Sequence, residues 1–351
     1  MRRRTREMDG REGHESADTG GADRGVTRRR VLELGVGVLA AAAVTPELLC
    51  GGSRSVMNAQ TDVVMKRIPR SGEEIPAVGL GTWQTFDVGS DRTQRTALAE
   101  VLRTFHRLGG RVVDSSPMYG TSQEVLGDLA VETGLISDLW VATKVWIDGQ
   151  SEGIDQMQRS IALLQRPSHI ELMQVHNLRD VEVHLDTLEE WKAEGRFDYI
   201  GITTSSDRQY GAVVALLEAE PERIDFLQIN YSLAERASGE RILAMAQERG
   251  IAVMVNRPFA GGRLFGAVRG RSLPEWAGSF GCEAWSQFFL KYVISHPAVT
   301  CVIPATSDPE HLVENMGGGR GELPDEATRR LMEDAVGCTY DPFPPGLEDG
   351  N

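Results

Sequence analysis

The feature of this sequence that most constrains its fold is a strand-and-helix pattern that repeats eight times from about Thr61 onward. The first seven apolar, β-branched runs have centres 26 to 34 residues apart, and the eighth follows after 47 residues. The centres lie near Val78, Val112, Ala142, Leu172, Gly201, Gln228, Met254 and Cys301. A spacing of about 30 residues is the length of one βαβ unit, and strands that are apolar on both faces favour a parallel sheet covered by helices. We therefore predict an α/β protein, a (β/α)8 TIM barrel over residues 60–338, with an insertion in the seventh connection.

The segments around the first strand support a closed barrel over an open, doubly wound sheet. Gly79-Leu80-Gly81-Thr82-Trp83 lacks the third glycine and the helix start that a dinucleotide fingerprint requires. Residues 63–68 and 73–77 flank the turn residues Ser71-Gly72, so they are predicted to pair as a hairpin. We expect this N-terminal hairpin to close the bottom of the barrel.

The leader, residues 1–59, opens with a polar stretch that cannot bury enough apolar surface to fold. Thr27-Arg28-Arg29-Arg30-Val31-Leu32 then precedes a weakly apolar run over residues 34–44, and this resembles a twin-arginine signal peptide. A run of this length spans about 16 Å of helix, about half of a bilayer's hydrocarbon thickness, so no stable membrane anchor is expected. The pattern predicts export by the twin-arginine machinery to the periplasm or beyond; a frayed terminus, or a start at Met8, is the alternative. Residues 339–351 contain three prolines and are expected to form an irregular tail.

Composition narrows the classes of partner and of chemistry. The chain has 51 acidic and 37 basic side chains, a net charge of −14, which speaks against nucleic acid because phosphates attract basic surfaces. The cysteines are isolated in the sequence at positions Cys50, Cys282, Cys301 and Cys338. Without a close pair among them, no metal site is predicted.

Ionisable side chains stand at the ends of three consecutive predicted strands, where catalytic residues of parallel barrels lie. Asp114 ends the second strand with Tyr119 in the following loop, Lys144 ends the third and His176 ends the fourth. We expect Asp114 to neutralise Lys144, and the ammonium to lower the pKa of Tyr119 from its ordinary value of about 10, making this phenol the general acid. A neutral His176 is expected to hydrogen-bond the substrate oxygen. Because no side chain supplies hydride, the set implies a cofactor that does. A structural ion pair is the alternative for Asp114 and Lys144 taken alone.

Further motifs accompany these four residues at the ends of other strands. They are Gly79-Leu80-Gly81-Thr82-Trp83, Val113-Asp114 with Tyr119-Gly120, Ala142-Thr143-Lys144, Gln174-Val175-His176-Asn177, Ile200-Gly201-Ile202, Gln228 with Tyr231, and Ile303-Pro304 followed by Glu314-Asn315. In order and spacing this set, which spans residues 62–337, resembles the aldo-keto reductase superfamily. The resemblance implies hydride transfer from NADPH to an aldehyde or ketone, with Asp114, Tyr119, Lys144 and His176 as the catalytic tetrad. It also implies cofactor contacts from Gly81, Thr82, Thr203, Thr204, Gln228, Asn256, Pro258, Thr306, His311, Glu314 and Asn315.

The chain departs from the family's pattern at three places around the nucleotide. Thr203-Thr204 replaces a Ser-Asn pair that grips the carboxamide, and Asn256 replaces a tyrosine that stacks on the nicotinamide. The Lys and Arg that clamp the 2′-phosphate align with Ala305 and His311. The loss of one charge-assisted hydrogen bond, about 1.5–3 kcal/mol, is enough to erode a tenfold preference, so NAD is a possible cofactor beside NADP.

Aromatic residues in strand-end loops complete the predicted site. Trp83, Phe86, Trp146 and Phe259 are candidates to line an apolar substrate pocket, with packing beneath loops as the alternative. The leading hypothesis is an NAD(P)H-dependent enzyme that reduces a small carbonyl compound. A nucleotide-binding sensor or docking protein with negligible turnover, and a lyase that uses Lys144 as a Schiff base, are the alternatives.

Overall fold

A computed structural model describes residues 63–166 and 169–337. The predicted leader and tail lie outside these residues. The strands, in chain order, are β1 (Met65–Arg67), β2 (Glu74–Pro76), β3 (Leu80–Gly81), β4 (Val112–Asp114), β5 (Trp140–Val145), β6 (Ile170–Val175), β7 (Phe197–Thr203), β8 (Phe226–Asn230), β9 (Ala252–Asn256) and β10 (Val299–Val302). The helices are α1 (Arg92–Arg107), α2 (Ser122–Glu132), α3 (Gln150–Leu163), α4 (Val181–Ala193), α5 (Tyr210–Ala219), α6 (Ala237–Glu240), α7 (Ile242–Glu248), α8 (Arg263–Ala267), α9 (Trp285–Ile294), α10 (Pro309–Gly318) and α11 (Glu326–Val336).

Eight parallel strands, β3 to β10, pair in the order of the chain and form the predicted barrel. Parallel bridges from Val78 to Val302 and from Gly81 to Ala305 join the first strand to the last. A Cβ atom on Gly81 would lie 2.8 Å from the Ile303 carbonyl oxygen, so the glycine permits this close approach. The (β/α)8 fold is confirmed, and Gly81 serves barrel closure.

The hairpin predicted ahead of the barrel is also confirmed. Strands β1 and β2 pair antiparallel, and both Ile75 in β2 and Ile68, which follows β1, are buried in the same apolar cluster as the barrel interior. The Tyr199 hydroxyl lies 2.7 Å from both the Ser71 hydroxyl and a Glu73 carboxylate oxygen. The hairpin thus fills the lower mouth, at the N-terminal ends of the strands.

The helices form an outer layer whose apolar faces cover the barrel. Helix α1 illustrates how the sequence sets their limits: the Asp91 side chain accepts hydrogen bonds from the amides of Thr93 and Gln94, and Gly109 adopts a φ of 85° just beyond the end. The predicted insertion lies between β9 and β10, where α8 and a 3₁₀ turn over residues 275–280 precede α9. Within the described ranges, no helix is long and apolar enough to cross a bilayer.

Candidate active site

A buried ion pair lies at the C-terminal ends of β4 and β5. The Lys144 Nζ atom is 2.7 and 2.6 Å from the two carboxylate oxygens of Asp114 and 2.9 Å from the Ser115 carbonyl oxygen. Lys144 is 0% exposed and Asp114 is 2% exposed. Burial lowers the pKa of Lys144, and the adjacent carboxylate opposes that effect. The predicted pairing is therefore present, and the carboxylate in contact favours the ammonium form over the free amine that a Schiff base needs.

Tyr119 lies beside this pair, but its pKa moves in the direction opposite to our expectation. The Lys144 Nζ atom is 5.4 Å from the centre of the phenol ring. Burial, and after it the negative charge of Asp114, raises the pKa of Tyr119 well above its ordinary value. The expectation of a lowered pKa was wrong chiefly because the phenol is buried, and secondarily because Asp114 neutralises the ammonium and adds its own charge near the phenol. The structure keeps Tyr119 protonated, which a proton donor requires, without making it more acidic.

His176 is 5% exposed and its ring stands edge-on to Tyr119, with 5.9 Å between the ring centres. Burial, and secondarily the charge of Lys144, lowers the pKa of His176 to about 3, so the imidazole is neutral as predicted. Its Nδ1 atom lies 2.9 Å from the Ser116 hydroxyl, a contact that the sequence analysis missed. Spacing gives no signal for such a contact, because 60 residues separate the partners.

The strand-end residues predicted to contact the carboxamide of the nicotinamide already form some hydrogen bonds within the protein. The Gln228 amide nitrogen donates to Asp114 Oδ1 at 2.9 Å. The Thr203 hydroxyl oxygen accepts the Asn177 amide, and the Thr204 hydroxyl is 2.7 Å from the Gln209 side-chain oxygen. Thr204 thus holds its own loop together. The Gln228 nitrogen also contacts Met254 Sδ at 3.2 Å, so the Gln228 side-chain oxygen and the Thr203 hydroxyl hydrogen are the groups left to contact a ligand.

Two asparagines at the ends of β8 and β9 present acceptors toward the same region. Asn230 and Asn256 are neighbours in register, and their amide nitrogens donate to the carbonyls of Ser205 and Thr204. A nitrogen that faces a carbonyl cannot be exchanged with its oxygen, so the orientation of both amides is fixed. Their Oδ1 atoms are buried and have no hydrogen-bond partner in the part of the chain that the structure describes.

The residues expected near the adenine and the 2′-phosphate gather at the start of α10. Thr306 is buried and accepts the Asp308 amide, and Asp308 caps the helix by accepting the Glu310 amide. His311 is exposed, with its Nδ1 atom 3.9 Å from the Asp308 carboxylate. Glu314 and Asn315 follow on the same helix, Glu314 accepting from the Ser286 hydroxyl. The Asp308 carboxylate thus lies beside His311, one of the two positions at which the resemblance implied a cation.

The remaining cofactor candidates, Gly81, Thr82 and Pro258, lie at strand ends of the same rim. The buried Thr82 hydroxyl donates to the Asp114 carbonyl oxygen at 3.0 Å and lies 3.0 Å from the Ser115 hydroxyl. Pro258 is buried two residues beyond β9. Thr82 therefore holds its loop against the end of β4.

The four aromatic candidates for the substrate pocket separate into two groups. Trp146 lies 6.4 Å from His176 between ring centres, and Trp83 is 46% exposed. Phe86 is fully buried in the hydrophobic core, and Phe259 packs against Phe265 with 4.9 Å between ring centres. Trp146 therefore lies beside His176 and the Trp83 ring is open to solvent, whereas Phe86 and Phe259 pack beneath loops.

Comparisons with known proteins agree with this geometry. The sequence profile of the aldo/keto reductase family matches residues 77–333. The methylglyoxal reductase YeaE of Escherichia coli (strain K12) is 28% identical over 260 residues, 71% of this chain and 88% of that protein. Pyridoxine 4-dehydrogenase of the same strain is 25% identical over 266 residues, 69% of this chain and 88% of that protein. An aldo-keto reductase from Klebsiella pneumoniae, solved in complex with NADPH, superimposes with a TM-score of 0.65 at 24% identity, covering 82% of this chain and 98% of that one. The chain therefore belongs to the aldo/keto reductase family.

Proposed function

We propose that this protein is an NAD(P)H-dependent reductase that converts a small aldehyde or ketone to the alcohol, with Tyr119 as the proton donor. The observation that carries the proposal is the convergence of Asp114, Lys144, Tyr119 and His176 from the ends of three strands. The relatives named as a methylglyoxal reductase and a pyridoxine 4-dehydrogenase support a small carbonyl compound as the substrate class.

The residues present fit a nicotinamide nucleotide. The carboxamide of such a cofactor carries an NH₂ group with two hydrogens to donate, and the buried Oδ1 atoms of Asn230 and Asn256 are acceptors without partners among the described residues. The Thr203 hydroxyl, which accepts the Asn177 amide, keeps its own hydrogen for a carbonyl oxygen. When bound, the cofactor supplies the hydride that no side chain provides.

The chain's own residues then direct and complete the reduction. A neutral His176 donates a hydrogen bond to the carbonyl oxygen and fixes its direction. Tyr119, protonated at neutral pH, transfers its proton to the oxygen as negative charge develops there. Lys144 stabilises the phenolate that remains, while Asp114 holds the ammonium in place.

Replacement of Tyr119 by phenylalanine tests the proposal. General acid catalysis is worth about 10²- to 10⁴-fold in rate, so Tyr119→Phe should lose that much turnover while retaining NADPH binding, measured by nucleotide fluorescence. Tyr199→Phe is the matched control, because it removes a hydroxyl at the opposite mouth of the barrel. Turnover of Tyr119→Phe within threefold of the wild type would refute the assignment.

A nucleotide-binding sensor with negligible turnover is the second candidate function. The raised pKa of Tyr119 and the commitment of the Gln228 amide to Asp114 favour it, because both weaken the catalytic arrangement. Single-turnover oxidation of bound NADPH, compared with steady-state rates across a panel of carbonyl compounds, distinguishes the two. A sensor would show neither, whereas a reductase would show both.

We further propose that the protein is exported in folded form by the twin-arginine machinery. Support comes from the arginines at positions 28–30 and the short apolar run at 34–44. Replacing Arg28, Arg29 and Arg30 together by lysine should retain the protein in the cytoplasm, as shown by fractionation. Unchanged export of that variant would contradict the proposal.

A further inference from the structure

Ser116 lies between the catalytic pair and the imidazole, and nothing in the tetrad chemistry assigns it a part. Its hydroxyl oxygen is 2.9 Å from His176 Nδ1 and 3.3 Å from the Met118 amide nitrogen, which donates to it. Ser116 is 0% exposed. The hydroxyl is thus enclosed by protein, and its single hydrogen must find an acceptor there or remain unpaired.

The hydrogens around this serine can be assigned by elimination. If Nδ1 of His176 carried the proton, it would donate to the Ser116 oxygen, which already accepts the Met118 amide. The serine hydrogen would then have no acceptor among residues 63–166 and 169–337, a costly state for a buried hydroxyl. If Ser116 instead donates to Nδ1, the serine hydroxyl and Nδ1 are both paired, and the imidazole proton resides on Nε2.

We propose that Ser116 is a positioning residue that donates to His176 Nδ1 and so holds the neutral imidazole as the Nε2–H tautomer. The inference rests on the proposed function in one respect, which is that Nε2 faces the substrate oxygen. The Nε2 atom has no hydrogen-bond partner within the described part of the chain, whereas Nδ1 is occupied. The serine therefore leaves the donor nitrogen free for a carbonyl oxygen and fixes the plane of the ring.

The arrangement also assigns a separate task to each of three consecutive residues at the end of β4. Asp114 binds the ammonium with its carboxylate, Ser115 binds it with its backbone carbonyl, and Ser116 binds the imidazole with its hydroxyl. A short segment of strand end therefore couples the positions of Lys144 and His176. A change at Ser116 should disturb the imidazole and leave the ion pair intact.

Nitrogen NMR on the full chain, labelled with ¹⁵N-histidine, tests the tautomer directly and without substrate. The His176 signals are identified by their absence in His176→Asn. We expect a hydrogen on Nε2 and a hydrogen-bonded, unprotonated Nδ1 at neutral pH. A hydrogen on Nδ1 would overturn the proposal. This readout is independent of turnover, so it stands or falls separately from the reductase activity.

Ser116→Ala supplies the second measurement, with Ser115→Ala as the matched control. Ser115 is equally buried, but its hydroxyl contacts Thr82 and not the imidazole. Ser116→Ala should shift the Nδ1 signal of His176 and lower kcat/KM roughly 3- to 10-fold, the size expected for one ordering hydrogen bond. Ser115→Ala should leave the Nδ1 signal in place. An unchanged His176 spectrum in Ser116→Ala would show that the serine is only structural.

Discussion

Replacing Lys144 by methionine tests the electrostatics of the site through stability, apart from any activity. The change keeps the length of the side chain but removes the ammonium from the buried carboxylate of Asp114. Breaking a buried ion pair by deleting one partner costs about 3–5 kcal/mol, because the other charge remains buried and unpaired. The Gln228 amide still donates to Asp114 at 2.9 Å, so we expect the lower end of that range, about 3 kcal/mol. For a barrel of this size, that is a fall in Tm of roughly 6–12 °C.

Urea unfolding of the variant and the wild type at neutral pH measures this loss of stability. Arg241→Met is the control, since the pair between Arg241 and Glu218 is exposed and its loss should cost under about 1 kcal/mol. The double variant Asp114→Leu with Lys144→Met should regain much of the lost stability, because it leaves no unpaired charge. A loss below about 1 kcal/mol in Lys144→Met would refute the reasoning.

Three other outcomes follow from the structure. His176, whose pKa is lowered to about 3, should stay neutral from pH 8 to pH 5 in an NMR titration; a protonation step near pH 6.5 would contradict its burial. His311→Arg should raise the preference for NADPH over NADH, measured as the ratio of the two affinities in fluorescence titrations, about tenfold, because a permanent cation replaces an exposed imidazole. An unchanged ratio would mean that the 2′-phosphate binds away from position 311. Gly127→Ala should lower the free energy of unfolding in urea by about 1–3 kcal/mol, because the added Cβ atom would lie 2.1 Å from the Leu163 carbonyl oxygen. Gly211→Ala is the control, since the space around Gly211 is open, and equal effects of the two variants would refute the packing argument.

The fold could be predicted because the signals that define it are local and repeat. Apolar runs at a constant spacing specify the strands, and a cap such as Asp91 marks where a helix begins. The ion pair of Asp114 and Lys144 followed from the same regularity, since both residues end adjacent strands. Position along the chain was sufficient to predict these features, because in a regular barrel it also determines where a residue lies.

The parts that could not be predicted depend on contacts made after the barrel closes. The pKa of Tyr119 depends first on how deeply the phenol is buried and then on the charge of Asp114, and sequence spacing reports neither. Ser116 reaches His176 across two intervening strand connections. Phe86 was a plausible pocket residue by its loop position, but its loop folds inward and buries it completely.

The hairpin below the barrel has a consequence for the chemistry above it. Ile68 and Ile75 close the lower end of the barrel and pack with inward-facing residues such as Ala142, two residues before Lys144 on the same strand. These apolar side chains lower the dielectric constant beneath the ammonium and so strengthen its attraction to the carboxylate. A polar residue in place of either isoleucine should therefore admit water below the catalytic centre. This would weaken the ion pair of Lys144 and Asp114, although neither isoleucine contacts a reacting group.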